Sequence, residues 1–136
     1  MPRRPDSPWT YLLARAEQVH RRCPRFGPVT LTPADLDALF AEQHGVCAIS
    51  GLALTLPKTG AALGRLKRSP WKISLDRLDN ARGYVKGNVQ LVCMMANYCK
   101  NDFTQADVVA FAKAVVNFSG AANGKAQGRP VTDATL

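Results

Sequence analysis

The residues best suited to chemistry lie within residues 76–100, which run DRLDNARGYVKGNVQLVCMMANYCK. An acidic and a basic side chain, Asp76 and Arg77, directly follow the apolar residues ISL, and two asparagines, Asn88 and Asn97, flank a second apolar run. Arginine stays protonated at neutral pH, so Arg77 cannot serve as a proton acceptor. Its planar guanidinium can instead bind two oxygens of an anion such as a phosphate.

The sequence around this cluster predicts a strand, a tight loop, a returning strand and a helix. Gly83 and Gly87 lie in the loop and can adopt the positive φ angles that tight turns need. In such a ββα arrangement the polar side chains project from the strand ends and from one face of the helix. The four predicted elements are residues 73–75, 80–87, 89–92 and 93–100.

This pattern resembles the HNH, or His-Me finger, endonucleases. That family carries an Asp-His pair on the first strand, an Asn or His at the second strand, an apolar L-(L/V)-C, and a final Asn or His followed by Lys on the helix. The chain departs from the pattern at Arg77, which stands where the family has its general-base histidine. The matching residues are Asp76, Asn88, Leu91, Val92, Cys93, Asn97 and Lys100.

Within that family the chain is most similar to small phage and bacterial proteins. Their centre reads S-L-D-R-(I/L)-D, followed by G-Y, G-N-V and a closing Asn, so Arg77 is a feature of this subgroup. The combined motif is far more specific than any one of its residues. The resemblance covers about residues 31–100, and its subgroup part lies at residues 74–79, 83–84 and 87–89.

The resemblance implies both a fold and an activity. The fold would be α+β, with a small ββα-metal core, flanking helices and a short β-hairpin before the core. The activity would be that of a metal-dependent endonuclease that hydrolyses phosphodiester bonds in DNA by cutting or nicking. Asp76 and Asn97 would hold one Mg²⁺ or Mn²⁺ through oxygen atoms, which hard cations prefer.

The resemblance also implies roles for the other site residues. Asn88 would brace the catalytic loop or orient the group beside it, and a turn or cap hydrogen bond is the alternative for either asparagine. Arg77 would bind the scissile phosphate and offset the charge that develops in the transition state. The general base stays open between a metal-bound hydroxide, Asp79 and a residue that the sequence does not place.

Two other functions stay open beside the endonuclease. The first is a catalytically inactive HNH-like module that binds nucleic acid, although such a binder would have no use for the two expected metal ligands. The second is a structural or interaction protein whose basic surface is incidental.

Lys and Arg outnumber Asp and Glu by 18 to 10, which gives a net charge of +8. Residues 1–30 carry six basic and two acidic side chains, and residues 57–72 carry five basic and no acidic ones. Two basic segments favour DNA, double-stranded first of all, because clustered cations attract phosphates, while a solubilising surface is the alternative. The candidate DNA contacts are Arg15, Arg22, Arg65, Lys67, Arg68, Lys72, Arg82, Lys86 and Lys100.

Residues 57–72 are predicted to form a surface loop, because they lack apolar periodicity and contain Gly60, Gly64 and Pro70. The loop directly precedes the strand that carries Asp76, which makes it a candidate DNA clamp. Trp71, beside that strand, is predicted to pack into the core.

Three regions are expected along the chain. Residues 1–30 would be a basic N-terminal helical extension, residues 31–120 an HNH-like nuclease domain and residues 121–136 a disordered C-terminal tail. The last predicted helix would bury an apolar stripe that includes Phe111 and would stop at Gly120. The predicted helices span residues 9–22, 33–44 and 105–118, and the shorter β elements residues 29–31 and 46–56.

The four cysteines do not predict a structural metal site. Members of the family often hold zinc through two C-x-x-C pairs, whereas Ser50 and Ala96 stand here where the partners of Cys47 and Cys93 would be. Structural zinc is therefore not expected, and buried free thiols are. No apolar run approaches the roughly 20 residues of a membrane span, and no signal peptide is evident, so a cytoplasmic protein without membrane contact is expected.

Overall fold

The computed structural model describes residues 7–124, which divide into two compact units, one extending to Tyr98 and the other beginning at Cys99. The mixed α+β class is confirmed, while the metal-binding character of the core stays a prediction. The elements in chain order are α1 (Trp9–Arg22), a 3-10 helix (Pro24–Phe26), α2 (Pro33–Glu42), α3 (Gly60–Arg65), β1 (Ile73–Arg77), β2 (Val89–Cys93), α4 (Met94–Lys100) and α5 (Gln105–Gly124).

Helix α1 forms where its apolar spacing predicts it. Trp9, Leu12 and Ala16 are buried and belong to the same core as the two strands. Trp9 Nε1 also donates a hydrogen bond of 2.7 Å to Asp37 Oδ1 of α2. The helix ends just before Pro24, which disfavours helical backbone in the residue that precedes it. The helix expected to be an N-terminal extension is therefore an integral part of the first unit.

Helix α2 begins at a capping box. Thr32 Oγ1 accepts a hydrogen bond of 3.2 Å from the backbone N–H of Asp35, and the Asp35 carboxylate accepts one of 2.9 Å from the N–H of Thr32. Hydrogen bonds from the backbone N–H and the side chain of Thr32 to the carboxylate lower the pKa of Asp35. The helix ends at Glu42, two residues earlier than predicted, because His44 and Gly45 have φ angles of 54° and 69°.

The hairpin predicted at residues 46–56 is reduced to a single bridge between Val46 and Ala53. Cys47 is buried, and its Sγ accepts hydrogen bonds from the backbone N–H groups of Ser50 at 3.4 Å and Cys93 at 3.3 Å. This sulfur connects the turn of the hairpin to the end of β2. The segment therefore supports the sheet without joining it.

The prediction of a loop throughout residues 57–72 is wrong, because α3 lies within it. Thr59 caps this helix through a hydrogen bond of 3.0 Å from the N–H of Ala62 to Thr59 Oγ1. Leu63 is fully buried in the core. A six-residue helix with one deeply buried side chain produces no apolar period that could be recognised in the sequence.

The prediction that Trp71 packs into the core is also wrong. Trp71 is 54% exposed, and the neighbouring Lys72 is 9% exposed instead. Lys72 forms a bridge with Thr55, and its Nζ lies 4.9 Å from the centre of the Tyr11 ring and 3.4 Å from the carbonyl oxygen of Leu66. The register of this bridge turns the lysine inward, where its long apolar stem is buried and its charge is satisfied by the ring and the carbonyl.

Strands β1 and β2 form an antiparallel pair at the centre of the first unit. Leu75 lies opposite Leu91 and Asp76 opposite Gln90, which places Asp76 and Gln90 on one face of the pair. Every residue of β2 is buried, as its apolar sequence predicts. The brief strand predicted at residues 29–31 does not form, although the N–H of Thr30 donates a hydrogen bond of 3.3 Å to the carbonyl of Tyr84.

The second unit consists mainly of α5, which starts at a capping box formed by Thr104 and Asp107. The helix continues past Gly120 to Gly124, so residues 121–124 of the predicted tail are helical and the rest of that tail lies outside the described residues. The predicted burial of Phe111 is wrong, since its side chain is 58% exposed.

None of the helices between residues 7 and 124 has the combined length and apolar character of a membrane span.

Candidate active site

Asp76 lies near the end of β1 and points to the face that it shares with Gln90. Gln90 Nε2 donates a hydrogen bond of 3.0 Å to Asp76 Oδ2. Asp76 is only 5% exposed. A carboxylate that is so well buried requires hydrogen bonds or a cation nearby, and Gln90 supplies one such hydrogen bond.

Asn97 reaches the same strand from α4. The helix follows β2 without a linker, so one turn into it Asn97 lies over β1. Its Nδ2 donates a hydrogen bond of 2.7 Å to Ser74 Oγ and a longer one of 3.5 Å to the carbonyl of Leu75. A carbonyl can only accept a hydrogen bond, so this contact fixes the orientation of the amide and turns Oδ1 away from β1. Ser74 and Asp76 share a strand face, and Asn97 therefore contacts the face that carries Asp76.

Asn88 holds the loop between the strands. It is 1% exposed, its Oδ1 accepts a hydrogen bond of 2.9 Å from the N–H of Asp79, and its Nδ2 donates to the carbonyls of Asp79 at 3.2 Å and Gly83 at 2.8 Å. The bracing contacts expected of Asn88 are present, and they are at the same time the turn hydrogen bonds of the alternative interpretation. A catalytic effect of this bracing stays a prediction.

Arg77 is enclosed by two rings and the loop backbone. Its guanidinium carbon lies 4.1 Å from the centre of the Phe26 ring and 5.3 Å from that of Tyr84. Its Nη1 donates hydrogen bonds to the carbonyls of Asn80 at 3.3 Å and Arg82 at 3.2 Å. These contacts join the loop to the 3-10 helix, so Arg77 has a positioning role in addition to the catalytic role that the sequence predicts.

The loop and the 3-10 helix approach each other closely at Gly83. A Cβ atom placed on this residue would lie 2.3 Å from the carbonyl oxygen of Phe26, a distance that no side chain tolerates. Gly83 is therefore required here for close packing, whereas Gly87, with a φ of 87°, provides the turn for which the sequence predicts glycine.

A cleft of about 230 Å³ lies between α1 on one side and β1 with α4 on the other. Arg15, Gln18 and Arg22 line it from α1, where their spacing of three and four residues puts them on one helix face. Ser74 and Asn97 line the opposite wall. The cleft thus places guanidinium groups across from an amide and a hydroxyl group, an arrangement suited to a phosphate.

Tyr84 connects this cleft to the charged residues behind it. Burial raises the pKa of Tyr84, the positive charge of Arg77 opposes that rise, and the negative charge of Asp76 adds to it. Arg15 also lowers the pKa from its place on α1. Tyr84 lines the cleft and therefore experiences the charge of Arg15 on α1 as well as the charges of Asp76 and Arg77 on β1.

The structure brings only some of the candidate DNA-binding residues together. Arg15 and Arg22 share the cleft, and Arg65, Lys67 and Arg68 are exposed at and just after the end of α3. Arg82 and Lys86 are exposed near the loop, and Lys86 Nζ lies 4.0 Å from a carboxylate oxygen of Asp35. Lys72 and Lys100 are buried, so neither is available to a phosphate in this conformation.

Three residues that support the site were not predicted. Gln90 could have been found from the strand register, because it pairs directly with Asp76. Phe26 gives no signal in sequence, since its contact with Arg77 joins distant segments. Gln43 gives no signal in the sequence either. Its side chain accepts a hydrogen bond from the N–H of Leu91 at 2.9 Å and donates one to the Leu91 carbonyl at 2.8 Å. These two bonds fix the edge of β2 that does not pair with β1.

Comparisons with protein-family models, with curated proteins and with solved structures gave no match to this chain. Within residues 7–124 no group of three or more His, Cys, Asp and Glu side chains is arranged to hold a metal ion. The assignment of a function therefore depends on the site itself.

Proposed function

We propose that the protein is a metal-dependent endonuclease that hydrolyses phosphodiester bonds in DNA. The observation that carries the proposal is the cleft, in which Asn97 meets the strand face of Asp76 while Arg15 and Arg22 line the opposite wall. The guanidinium groups suit a phosphate. The Asp76 carboxylate does not itself line the cleft, but it is buried on the same strand face as Ser74, which does, and it would supply a hard oxygen ligand for a divalent cation.

The donor set fits Mg²⁺ or Mn²⁺ by its chemistry. Magnesium is commonly held by only one or two protein oxygen ligands and keeps several waters, so the Asp76 carboxylate would suffice together with Asn97. The Asn97 amide would have to rotate to bring Oδ1 toward β1, because its Nδ2 contacts that strand in the structure. A bound ion would polarise the phosphoryl oxygen and assist the departing 3′ oxygen. Cysteine and histidine do not enter this set, which distinguishes it from a zinc site.

The residues of the chain then have separate tasks. Arg15 and Arg22 bind and orient the phosphate backbone, and Gln90 holds the Asp76 carboxylate in one orientation through the hydrogen bond of 3.0 Å. Asn88 and Arg77 keep the loop rigid, which fixes the strand end that carries Asp76. Pre-positioned charged groups of this kind account for much of the catalytic effect of nucleases and other enzymes.

A second function, an inactive module that binds nucleic acid, is favoured by one observation. No histidine lines the cleft among the residues described, and Arg77 is engaged with carbonyls and rings where the family has its proton acceptor. Such a module would use the same cleft and basic residues to bind DNA without cutting it.

Incubation of supercoiled plasmid with the purified protein separates the two functions. The endonuclease should produce nicked or linear DNA with Mg²⁺ or Mn²⁺ and none with EDTA. Tight binding of the plasmid without any product, whatever divalent ion is added, would support the binding module and contradict the endonuclease.

A further inference from the structure

A second depression adjoins the cleft at the start of α4. It has a volume of about 340 Å³ and shares Met94 and Tyr98 with the cleft. We call it the Tyr98 groove. Its lining residues are Arg68, Ser69, Pro70, Met94, Met95 and Tyr98.

The walls of the Tyr98 groove are held by backbone hydrogen bonds. The N–H of Met94 donates to the carbonyl of Lys72 at 2.8 Å, and the N–H of Met95 donates to the carbonyl of Pro70 at 2.9 Å. These bonds fasten the segment before β1 to the first turn of α4. The groove is therefore preformed, yet Met95 and Tyr98 are 46% and 58% exposed within it.

The surroundings of the groove are cationic. The Arg68 guanidinium carbon lies 5.4 Å from the centre of the Tyr98 ring, an arrangement of cation over aromatic face. Arg65 and Lys67 are exposed close by in sequence, and residues 57–75 contain no acidic side chain. An exposed aromatic ring beside such charges is the combination with which proteins bind unpaired nucleotides.

We propose that the Tyr98 groove receives one unstacked base of a single-stranded nucleic acid whose adjoining phosphate occupies the cleft. The base would stack on the Tyr98 ring, and Arg68 would cover the base or contact its phosphate. The proposal rests on the proposed function and restricts the DNA substrate of that endonuclease to strands with unpaired bases. A base inside an intact duplex is paired and stacked and cannot reach the ring, so the bound strand is single-stranded DNA, an unpaired strand end or a segment that opens transiently in a supercoiled plasmid, and not the fully paired duplex that the sequence suggests.

The test measures binding of labelled oligothymidylate by fluorescence anisotropy. The two comparison probes are a strand of equal length with abasic sites in place of the bases and a duplex that contains the same strand. The wild type should bind the thymidylate strand more tightly than the abasic strand by roughly 5- to 100-fold, as expected for one stacked base. Binding to the duplex should be weaker than binding to the single strand.

Variants then assign this difference to the ring. Tyr98→Ala should reduce the ratio of thymidylate to abasic affinity to about one, and Tyr98→Phe should keep it because the ring remains. Phe111→Ala is the control, since that ring on α5 is equally exposed at 58% and takes no part in the proposal. Thermal unfolding of each variant establishes that it is folded.

Three results would overturn the inference. The wild type could bind both strands equally, Tyr98→Ala could weaken binding to both strands by the same factor, or polyglutamate could displace the strand as readily as unlabelled thymidylate does. The last result would assign the groove to an acidic polypeptide. Base-independent cutting of duplex DNA would leave the endonuclease proposal standing while this inference fails, whereas absence of binding to any DNA would contradict both.

Discussion

At the scale of single residues, the two charged side chains near the end of β1 are held by contacts from other segments of the chain. Asp76 is buried beside Gln90, and Arg77 is enclosed by Phe26, Tyr84 and loop carbonyls. A motif specifies which residue types adjoin one another along the chain. The contacts of those residues come from distant segments and depend on the complete fold.

Arg77 provides the first prediction at this scale. Arg77→Ala should lower the rate of plasmid cleavage by about 10²- to 10³-fold, as for loss of one well-placed charge-stabilising donor, with a smaller loss of DNA affinity. Arg77→Lys should rescue the rate only in part, because an ammonium group lacks the planar fork that meets two carbonyls and two rings. Single-turnover cleavage and anisotropy measure the two quantities.

Asn88→Ala is the matched variant for Arg77, because it loosens the same loop without removing a charge. Equal losses of rate in Arg77→Ala and Asn88→Ala would mean that Arg77 acts only by holding the loop. A larger loss in Arg77→Ala means that its charge also acts on the phosphate. Cleavage by Arg77→Ala at the rate of the wild type would exclude both roles.

At the scale of elements, close packing of the loop against the 3-10 helix leads to the second prediction. Gly83→Ala should lower the free energy of unfolding by about 1–3 kcal/mol, because its Cβ would meet the Phe26 carbonyl and force a backbone shift. Gly120→Ala is the matched control. It lies within α5 with no atom near its Cβ position, so it should raise helix stability by about 0.5–1 kcal/mol.

Urea denaturation followed by circular dichroism measures both glycine variants. A Gly83→Ala protein as stable as the wild type would show that the loop and the 3-10 helix do not touch. The cleavage rate of Gly83→Ala should also fall, since the loop that it displaces is the one that Arg77 and Asn88 hold.

The sequence predicts a helix well where a periodic spacing of apolar residues or an N-terminal capping residue defines it. Helix α1 matches the predicted span of residues 9–22, and α2 begins at residue 33 as predicted, where Thr32 and Asp35 form a capping box. Helix α3 gives no recognisable pattern in the sequence, because Leu63 is the only buried side chain in its six residues. Trp71 was expected in the core and Lys72 on the surface, but the structure has Lys72 buried and Trp71 exposed, because the bridge between Lys72 and Thr55 turns the lysine inward.

The candidate site was predictable to a similar extent. The residue types of Asp76, Asn88 and Asn97 follow from the motif, and the strand and helix that carry them follow from local pattern. The cleft could not be predicted, because it forms only when α1 packs against β1 and α4. For this reason Arg15 and Arg22 were candidates from charge alone, and their position opposite Asn97 emerges from the fold.

At the scale of the whole molecule, the net charge of +8 is distributed unevenly over the chain. Replacement of Arg65, Lys67 and Arg68 together by Gln should weaken DNA binding and make it less dependent on salt. Each lost phosphate contact should reduce the slope of log affinity against log salt by about 0.9 for a duplex and about 0.7 for a single strand. Anisotropy titrations over a range of NaCl concentrations measure the slope.

Lys113→Gln is a control for this charge change, since it removes one positive charge from α5. Its salt slope should equal that of the wild type. A triple variant whose slope is also unchanged would mean that the basic residues at the end of α3 only solubilise the protein.

Plasmid cleavage by the Asp76→Asn variant in Mg²⁺ decides whether Asp76 holds the divalent cation of a nuclease. Asparagine can still accept the hydrogen bond from Gln90, so the fold should be retained while the charge of the ligand is lost. Cleavage should fall by at least about a hundredfold, because several kcal/mol of charge stabilisation depend on the ion, and DNA affinity should stay equal or rise. Asp102→Asn removes an exposed carboxylate outside the site and should cut at the rate of the wild type. Undiminished cleavage by Asp76→Asn would show that this carboxylate does not hold a catalytic cation.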